Sequence, residues 1–373
     1  MAKIGIIGTR GVPNHYGGFE KFAQILSQKL VSWGEEVWVY NSHDHPYQHK
    51  TWQGVNILHC YDPEDKTGTI GQFLYDFLCI LDSRKRNFDI ILQLGYTSNS
   101  IWNRLLPKES IIITNMDGLE WKRTKYSKPV RHFLKYAETL AVKSSHHLVA
   151  DSPGIQKYLA EEYDTGSTFI SYGAQIVDYA PLPEEFGIEA AKYFLLIARM
   201  QADNHVEEII KGVLASESQF PLLVVGHTNN SYGRNLKKKY GNSPQILFTG
   251  GIFNEKIING LRYHTACHFH GHSAGGTNPS LLEAMAASSV ICAHDNLFNR
   301  AVLQQEALFF KTSCDITKII NDEAWKDGGT LWVEKNLEKI KNDHDWETIS
   351  KSYHRLFLNL LNKKDHNKSS ENS

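Results

Sequence analysis

The chain has 373 residues, more than one ordinary domain holds and enough for two. Hydrophobic residues make up 41% and aromatics 11%, sufficient for two cores, while 40 Lys plus Arg against 41 Asp plus Glu leave no global charge to draw nucleic acid. The five cysteines are scattered without a CxxC pair, no run approaches the ~20 apolar residues of a membrane span, and MAKIGIIGTRG is not followed by a signal-peptide cleavage site, so a cytoplasmic protein with reduced thiols is expected.

In chain order, residues 3–8, 36–41, 56–61, 89–95, 110–116 and 146–152 read as strands. They are continuous apolar runs, as buried parallel strands are. Between the first two, Phe19, Phe22, Ala23, Leu26 and Leu30 form a helical stripe that Gly34 closes. YAPLPEEFG (179–187) interrupts the pattern, which restarts with strands at 192–199, 221–227, 245–251, 267–273, 290–295 and 307–312. The fold class expected is α/β, with two doubly wound parallel-sheet domains at 1–180 and 181–345. An amphipathic helix over 346–363 carries Tyr353, Leu356, Phe357, Leu360 and Leu361, and a polar, disordered tail is expected over 364–373.

Ligands of open α/β sheets bind beyond the carboxyl ends of strands, so the strand-to-helix turns carry the candidate site. GTRGVPNHYGGFE (8–20) is glycine-rich but lacks the GxGxxG spacing of a dinucleotide turn. Gly17-Gly18 costs helix stability unless a ligand anion must approach the backbone at a helix N-terminus. The bland alternative is a flexible loop with a glycine cap. Residues 121–136 interleave Lys122, Arg123, Lys125, Lys128, Arg131 and Lys135 with Trp121, Tyr126, Phe133 and Tyr136. An anionic membrane surface and a plain solvated helix face both fit this pattern; nucleic acid fits it less well.

Arg199 ends a strand, where a guanidinium can take phosphate bidentately, although a surface salt bridge would also place it there. In GGTNPSLLEAMA (275–286) the backbone amides of a helix start lie beside Glu283, on the same side as Pro279 and Ser280. Because Leu281, Leu282, Ala284 and Met285 mark a buried helix, an unpaired carboxylate there is costly. A vicinal diol of a ligand is the expected partner of Glu283; a nearby Lys or Arg is the alternative. His270 and His272 form an HxH with no third metal ligand close in sequence, so structural or cleft-lining histidines are expected.

Taken together, GTRGVPNHYGGFE, NMDGLEWKR, ADSPGI, ISYGA, GHSAGGTNPSLLEAMA and DNLFNRAVL resemble, in order along almost the whole chain, retaining glycosyltransferases of family four. The closest likeness is to the rhamnosyltransferase-type subgroup of bacterial capsule, O-antigen and exopolysaccharide clusters. The resemblance implies a GT-B fold, with a last helix crossing back to the first domain and a nucleotide-sugar donor on the second. It implies Gly17, Gly18, Arg199, His205, Gly275, Gly276, Thr277, Asn278 and Glu283 as donor-binding residues, with Glu283 on the ribose. Tyr16, Asp117 and Trp121 fall on the acceptor side, and Arg199 and Asp117 are the expected catalytic residues. Arg199 would neutralise the diphosphate, so neither metal nor cofactor is expected.

The chain departs from the wider family in two places. Gly275 stands where the family has a Glu eight residues before Glu283, and His205 stands where it has a phosphate-binding Lys, after Gln201-Ala202-Asp203 in place of Glu-Pro-Glu. A neutral His is a weaker phosphate partner than Lys. The expected reaction is transfer of a sugar, rhamnose from dTDP-L-rhamnose, to a saccharide or polyprenyl-diphosphate-linked acceptor in surface polysaccharide synthesis. Contact with the inner face of the plasma membrane through 121–136 accompanies it. The alternatives are a UDP- or GDP-hexose donor, a sugar-nucleotide epimerase of the same fold, an NAD-dependent oxidoreductase, which the absent GxGxxG opposes, and a non-catalytic subunit.

Overall fold

The structure, a computed structural model, describes residues 1–371 apart from Tyr16, Thr124 and Ala274, with backbone alone from 367 onward. It comprises two compact units: Met1–Trp121 with Lys128–Tyr172 and Trp346–Ser373, and Lys122–Ser127 with Gly173–Asp345. In unit 1 the chain forms β1 (Lys3–Ile7), α1 (Gly18–Ser32), β2 (Glu36–Ser42), β3 (Thr51–Trp52), β4 (Val55–Cys60), α2 (Glu64–Thr67), α3 (Thr69–Ser83), β5 (Ile90–Leu94), β6 (Ile111–Asn115), α4 (Lys128–Ser144), β7 (His147–Ala150), α5 (Pro153–Tyr163) and β8 (Thr168–Phe169). Unit 2 forms β9 (Phe194–Ile197), α6 (Val206–Leu214), β10 (Leu222–Val225), α7 (Ser231–Tyr240), β11 (Ile246–Gly250), α8 (Glu255–Tyr263), β12 (Cys267–His270), α9 (Pro279–Ala286), β13 (Ile291–His294), α10 (Leu297–Leu303), β14 (Leu308–Phe310), α11 (Ser313–Asn321) and α12 (Gly329–Asp343). The last helix, α13 (Trp346–Glu371), belongs to unit 1.

The sheet of unit 1 runs β3-β4-β2-β1-β5-β6-β7-β8 and that of unit 2 runs β11-β10-β9-β12-β13-β14. Every ladder is parallel except the short β3–β4 pair. Both sheets are doubly wound because the expected strands are apolar on both faces: Ile4, Ile6, Ile90, Ile91, Phe194, Leu195, Leu222 and Leu223 are all sealed from solvent. Each such side chain contributes about 1.5–3 kcal/mol through burial.

Two expectations about boundaries change. Residues 173–180 sit in unit 2, where the Val177 N–H donates to the Ala286 carbonyl at 2.9 Å and His264 Nε2 lies 2.8 Å from the Ala180 carbonyl. The prolines after them stiffen a segment already packed on α8, so the break in composition lies inside the unit rather than at its edge. The tail expected to be disordered is helical as far as Glu371, because α13 continues past its apolar stretch. Its first half supplies the core of unit 1: Phe22 meets Tyr353 ring to ring at 5.1 Å and Trp346 at 6.3 Å, and Asn115 Nδ2 donates to Tyr353 Oη at 3.0 Å. No described helix is long and apolar enough to cross a membrane.

Candidate functional site

In unit 2, consecutive strands leave β9 in opposite directions, toward β10 and β11 on one side and β12, β13 and β14 on the other. The topological switch therefore lies between β9 and β12, the place where doubly wound sheets bind ligands. The turn after β9 (198–205) carries Arg199 and His205; the turn after β12 (271–278) carries Gly275, Gly276, Thr277 and Asn278. The two turns are fastened to each other. Ser273 donates to the Asp203 carbonyl through its N–H at 3.1 Å and its hydroxyl at 2.8 Å. A Cβ on Gly271 would stand 2.0 Å from the Asn204 carbonyl oxygen, so only glycine permits this approach.

Arg199 is exposed at the end of β9, and its carbonyl accepts a hydrogen bond from Asn204 Nδ2 at 2.8 Å. The turn behind it is anchored by Arg123, whose Nε lies 2.9 Å from Asp203 Oδ2 with both side chains buried. Arg123 thus leaves the basic run expected to face solvent or membrane. His205 is a non-glycine residue in the left-handed region, φ +48°, and stacks on His294 at 4.0 Å. Burial holds its pKa below the ordinary histidine value, against the pull of Glu208 and Asp203. It is a neutral contact at pH 7, not the positive charge a Lys would supply.

Gly275 adopts φ +129°, a conformation L side chains rarely take, with open space where a Cβ would point. The backbone is thereby presented bare at the start of α9. Thr277 is buried, and Asn278 caps α9 by accepting from the Ser280 N–H at 2.9 Å, with Pro279 at the first helical position. The face of α9 away from the site packs Leu281, Leu282, Ala284, Met285 and Ala286, all 0–1% exposed.

Glu283 has a partner within the protein. Arg262 on α8, itself 3% exposed, places Nη2 2.6 Å from Glu283 Oε2 and 3.4 Å from Ser280 Oγ. The pairing partner set aside in favour of a ligand diol is therefore present. The guanidinium fixes the orientation of the carboxylate at one of its oxygens.

In unit 1 the switch lies between β1 and β5. The loop after β1 is tied down rather than flexible: a Cβ on Gly8 would meet the Leu94 carbonyl at 2.4 Å, and one on Gly11 would meet Asn41 Cγ at 2.2 Å. Gly17 is the N-cap of α1 and Gly18 its first residue. Buried Glu20 in that first turn accepts from Thr9 Oγ1 at 3.1 Å and from the Arg10 N–H at 2.9 Å, holding the loop over the helix end. Asp117 sits in the left-handed region, φ +48°, its N–H donating to Asn115 Oδ1 at 2.9 Å, and its charge helps burial raise the Tyr172 phenol far above its ordinary range. Trp121 donates its ring N–H to Glu138 Oε2 at 3.1 Å. Glu138, sealed from solvent, also accepts from Tyr96, Tyr158, Tyr163 and Lys135. Trp121 is thus held by its edge in a polar core. Tyr16, expected on the acceptor side, lies outside the described residues.

The sequence carried no signal for Arg262, whose partner is twenty-one positions away on another helix. Nor did it mark Glu20, Glu138 or the Arg123–Asp203 pair as buried, because charged residues are expected outside. Gly271 was visible as a glycine at a strand end but stood hidden between two histidines. Of the HxH pair, His270 lies on β12 as expected, whereas His272 lies two residues beyond the end of the strand; no group of three or more His, Cys, Asp or Glu among the described residues could hold a metal ion.

Among families, a model described as a domain of unknown function, DUF1972, matches residues 1–175, less than half of the chain. No curated protein matches the sequence. Among solved structures, the chain is similar to a sucrose-phosphate synthase from Thermosynechococcus elongatus, at TM-score 0.78 and 16% identity over 97% of this chain and 100% of that one. It is similar to HepE of Anabaena, solved in complex with UDP and glucose, at TM-score 0.74 and 12% identity over 96% and 100%. A third likeness is to an E. coli trehalose-6-phosphate structure bound with UDP-2-fluoro glucose, at TM-score 0.70 and 11% identity over 95% and 98%. At these identities the likeness establishes the fold, two doubly wound parallel-sheet units of the GT-B class.

Proposed function

We propose that the protein is a retaining glycosyltransferase that takes a nucleotide-diphosphate sugar in unit 2 and passes the sugar to a saccharide or polyprenyl-diphosphate-linked acceptor. The supporting observation is the convergence at one switch point of an exposed Arg199, the bare backbone of Gly275, the capped start of α9 and a carboxylate, Glu283, fixed by Arg262. Structures of the same fold solved with UDP and glucose, or with UDP-2-fluoro glucose, support the same ligand class. Arg199 and the positive end of the α9 dipole stabilise the leaving diphosphate, with no metal required; Pro279 has no N–H, and the Ser280 and Leu281 amides are already bonded to Asn278. The bond from the sugar's anomeric carbon to the diphosphate breaks, and the bond to the acceptor oxygen forms on the same face. The acceptor's proton passes to the departing phosphate oxygen.

The donor proposed is dTDP-L-rhamnose and the role is surface polysaccharide synthesis; the motif resemblance carries both. A UDP-hexose is the second reading. It is favoured by Glu283, because a ribose offers a carboxylate two hydroxyls and a deoxyribose only one. The experiment is a thermal-shift panel of dTDP, UDP, GDP and ADP, their sugar conjugates and NAD. A ligand at a hundred times its dissociation constant should stabilise by about 2.7 kcal/mol. A shift selective for dTDP compounds supports rhamnosyl transfer, one selective for UDP compounds transfers the reading to a hexose, and a shift with NAD alone overturns it.

Peripheral membrane contact belongs to the same reading, on fewer residues than the motif offered. Arg131 donates to the Trp121 carbonyl at 2.7 Å, and Lys135 pairs with Glu138 and Glu162. Val130, Phe133 and Tyr136 remain exposed on α4 beside Lys128 and His132. Sedimentation with anionic vesicles at low salt, lost in a Phe133→Ser/Tyr136→Ser variant, is the expected result; no sedimentation of the unaltered protein removes the membrane from the reading.

A further inference from the structure

We propose that His272 is a further donor-site residue, whose imidazole hydrogen-bonds the diphosphate of the nucleotide sugar beside Arg199. The proposal rests on the nucleotide-sugar reading and deepens it. His272 is the second residue after β12, in the turn that meets the turn after β9 at the switch point of unit 2. The chain is clamped there. The His272 carbonyl accepts from Asn296 Nδ2 at 3.1 Å and from Asn299 Nδ2 at 3.0 Å. The same two amides also reach the His294 carbonyl, at 3.1 and 2.9 Å, so they bind the ends of β12 and β13 together. These asparagines are those of the DNLFNR stretch, which no other part of the site accounts for.

The ring is fixed as firmly as the backbone. It stacks on His270 at 4.5 Å between centroids with 20° between planes, and the following residue, Ser273, is bonded to Asp203. Yet its Nδ1 is buried without a hydrogen-bond partner. Nε2, in contrast, is not among the buried atoms without a partner, and on a half-buried ring it is the nitrogen a ligand can reach. His268 and His270 also leave nitrogens unsatisfied, but they are 0–1% exposed within β12, whereas His272 is half-buried on the turn. Burial first, then the nearby charges of Arg199 and Arg123, hold the His272 pKa down at about 3. The imidazole is therefore uncharged at pH 7, with one N–H to give and one lone pair to take. A neutral donor beside a guanidinium adds a directed hydrogen bond to the anion without charge repulsion between the two protein groups.

The test is calorimetric titration of the nucleoside, its monophosphate and its diphosphate, with thymidine and uridine series, into the unaltered protein and into His272→Ala, His272→Asn and Asn299→Ala. The expected result is that the affinity gained between monophosphate and diphosphate shrinks about tenfold in His272→Ala. Nucleoside binding stays within about twofold, which also reports that the site is folded. His272→Asn, with a short polar side chain, recovers part of the gain, and Asn299→Ala loses part of it. Equal losses for nucleoside and diphosphate, or no loss at all, overturn the role of His272. Failure of the unaltered protein to bind any diphosphate sinks instead the nucleotide-sugar reading beneath it.

Discussion

Arg262 is a guanidinium with one acidic partner, placed where solvent cannot relieve it. Its pairing with Glu283 makes the orientation of the site carboxylate a property of α8 as much as of α9. Removing one member of a buried pair strands the other, so Arg262→Met should lower stability by about 3 kcal/mol in urea titration. The double variant Arg262→Met/Glu283→Leu should recover much of that loss, because no lone charge is left behind. A single variant as stable as the parent would mean that the pair is not closed in solution. Glu283 itself was legible from sequence, since a carboxylate in an apolar helix start demands an explanation. Its partner was not, because ion pairs between helices leave no periodic trace. The same holds for Glu138, which gathers Trp121, three tyrosines and Lys135 around one buried carboxylate from positions scattered over 96–163.

At the scale of elements, every apolar run that read as a strand is one, because a strand buried on both faces must be apolar throughout. The two that escaped, β3 and β8, have two residues each, too short to show any pattern. Turns were less legible than strands. Glycines could be counted, but which ones are obligatory depends on what lies across the gap. Gly275 is required by its backbone angle and Gly271 by the carbonyl opposite it. Gly271→Ala should force the β9 and β12 turns apart, lowering stability by about 3 kcal/mol, the upper end of overpacking penalties. It should also abolish any shift with nucleoside diphosphates. A variant that melts and binds like the parent would mean that the turns are not held at this distance.

The whole molecule carries a pH dependence of known sign. Burial depresses His268 and His270 far below the usual histidine value, and His45 and His294 to about 4 and His272 to about 3. An unfolded chain would bind protons at these sites near pH 6.5 while the folded one does not. The stability they permit is whole above pH 6.5 and is lost as pH falls toward the folded values. Asp76 opposes them: burial raises it to about 7, so it costs stability as pH rises through the interval from 3.8 to 7. Five histidines outweigh one carboxyl, and the urea midpoint should fall between pH 7.5 and pH 5. His268→Leu and His270→Leu should flatten that slope; a midpoint that rises on acidification would contradict the buried, neutral state of the cluster.

The division of the chain between its units also sets an order of synthesis. Unit 2 has all its residues once position 345 has left the ribosome, whereas unit 1 lacks Trp346, Tyr353 and Phe357 until the segment after position 345 is also made. At about 5–20 residues per second, residues 173–345 occupy the ribosome for roughly ten to thirty-five seconds. Through that interval the first unit made waits with the side of Phe22 that meets Tyr353 and Trp346 uncovered. The half that begins first finishes last, and its nascent form is the one a chaperone would meet.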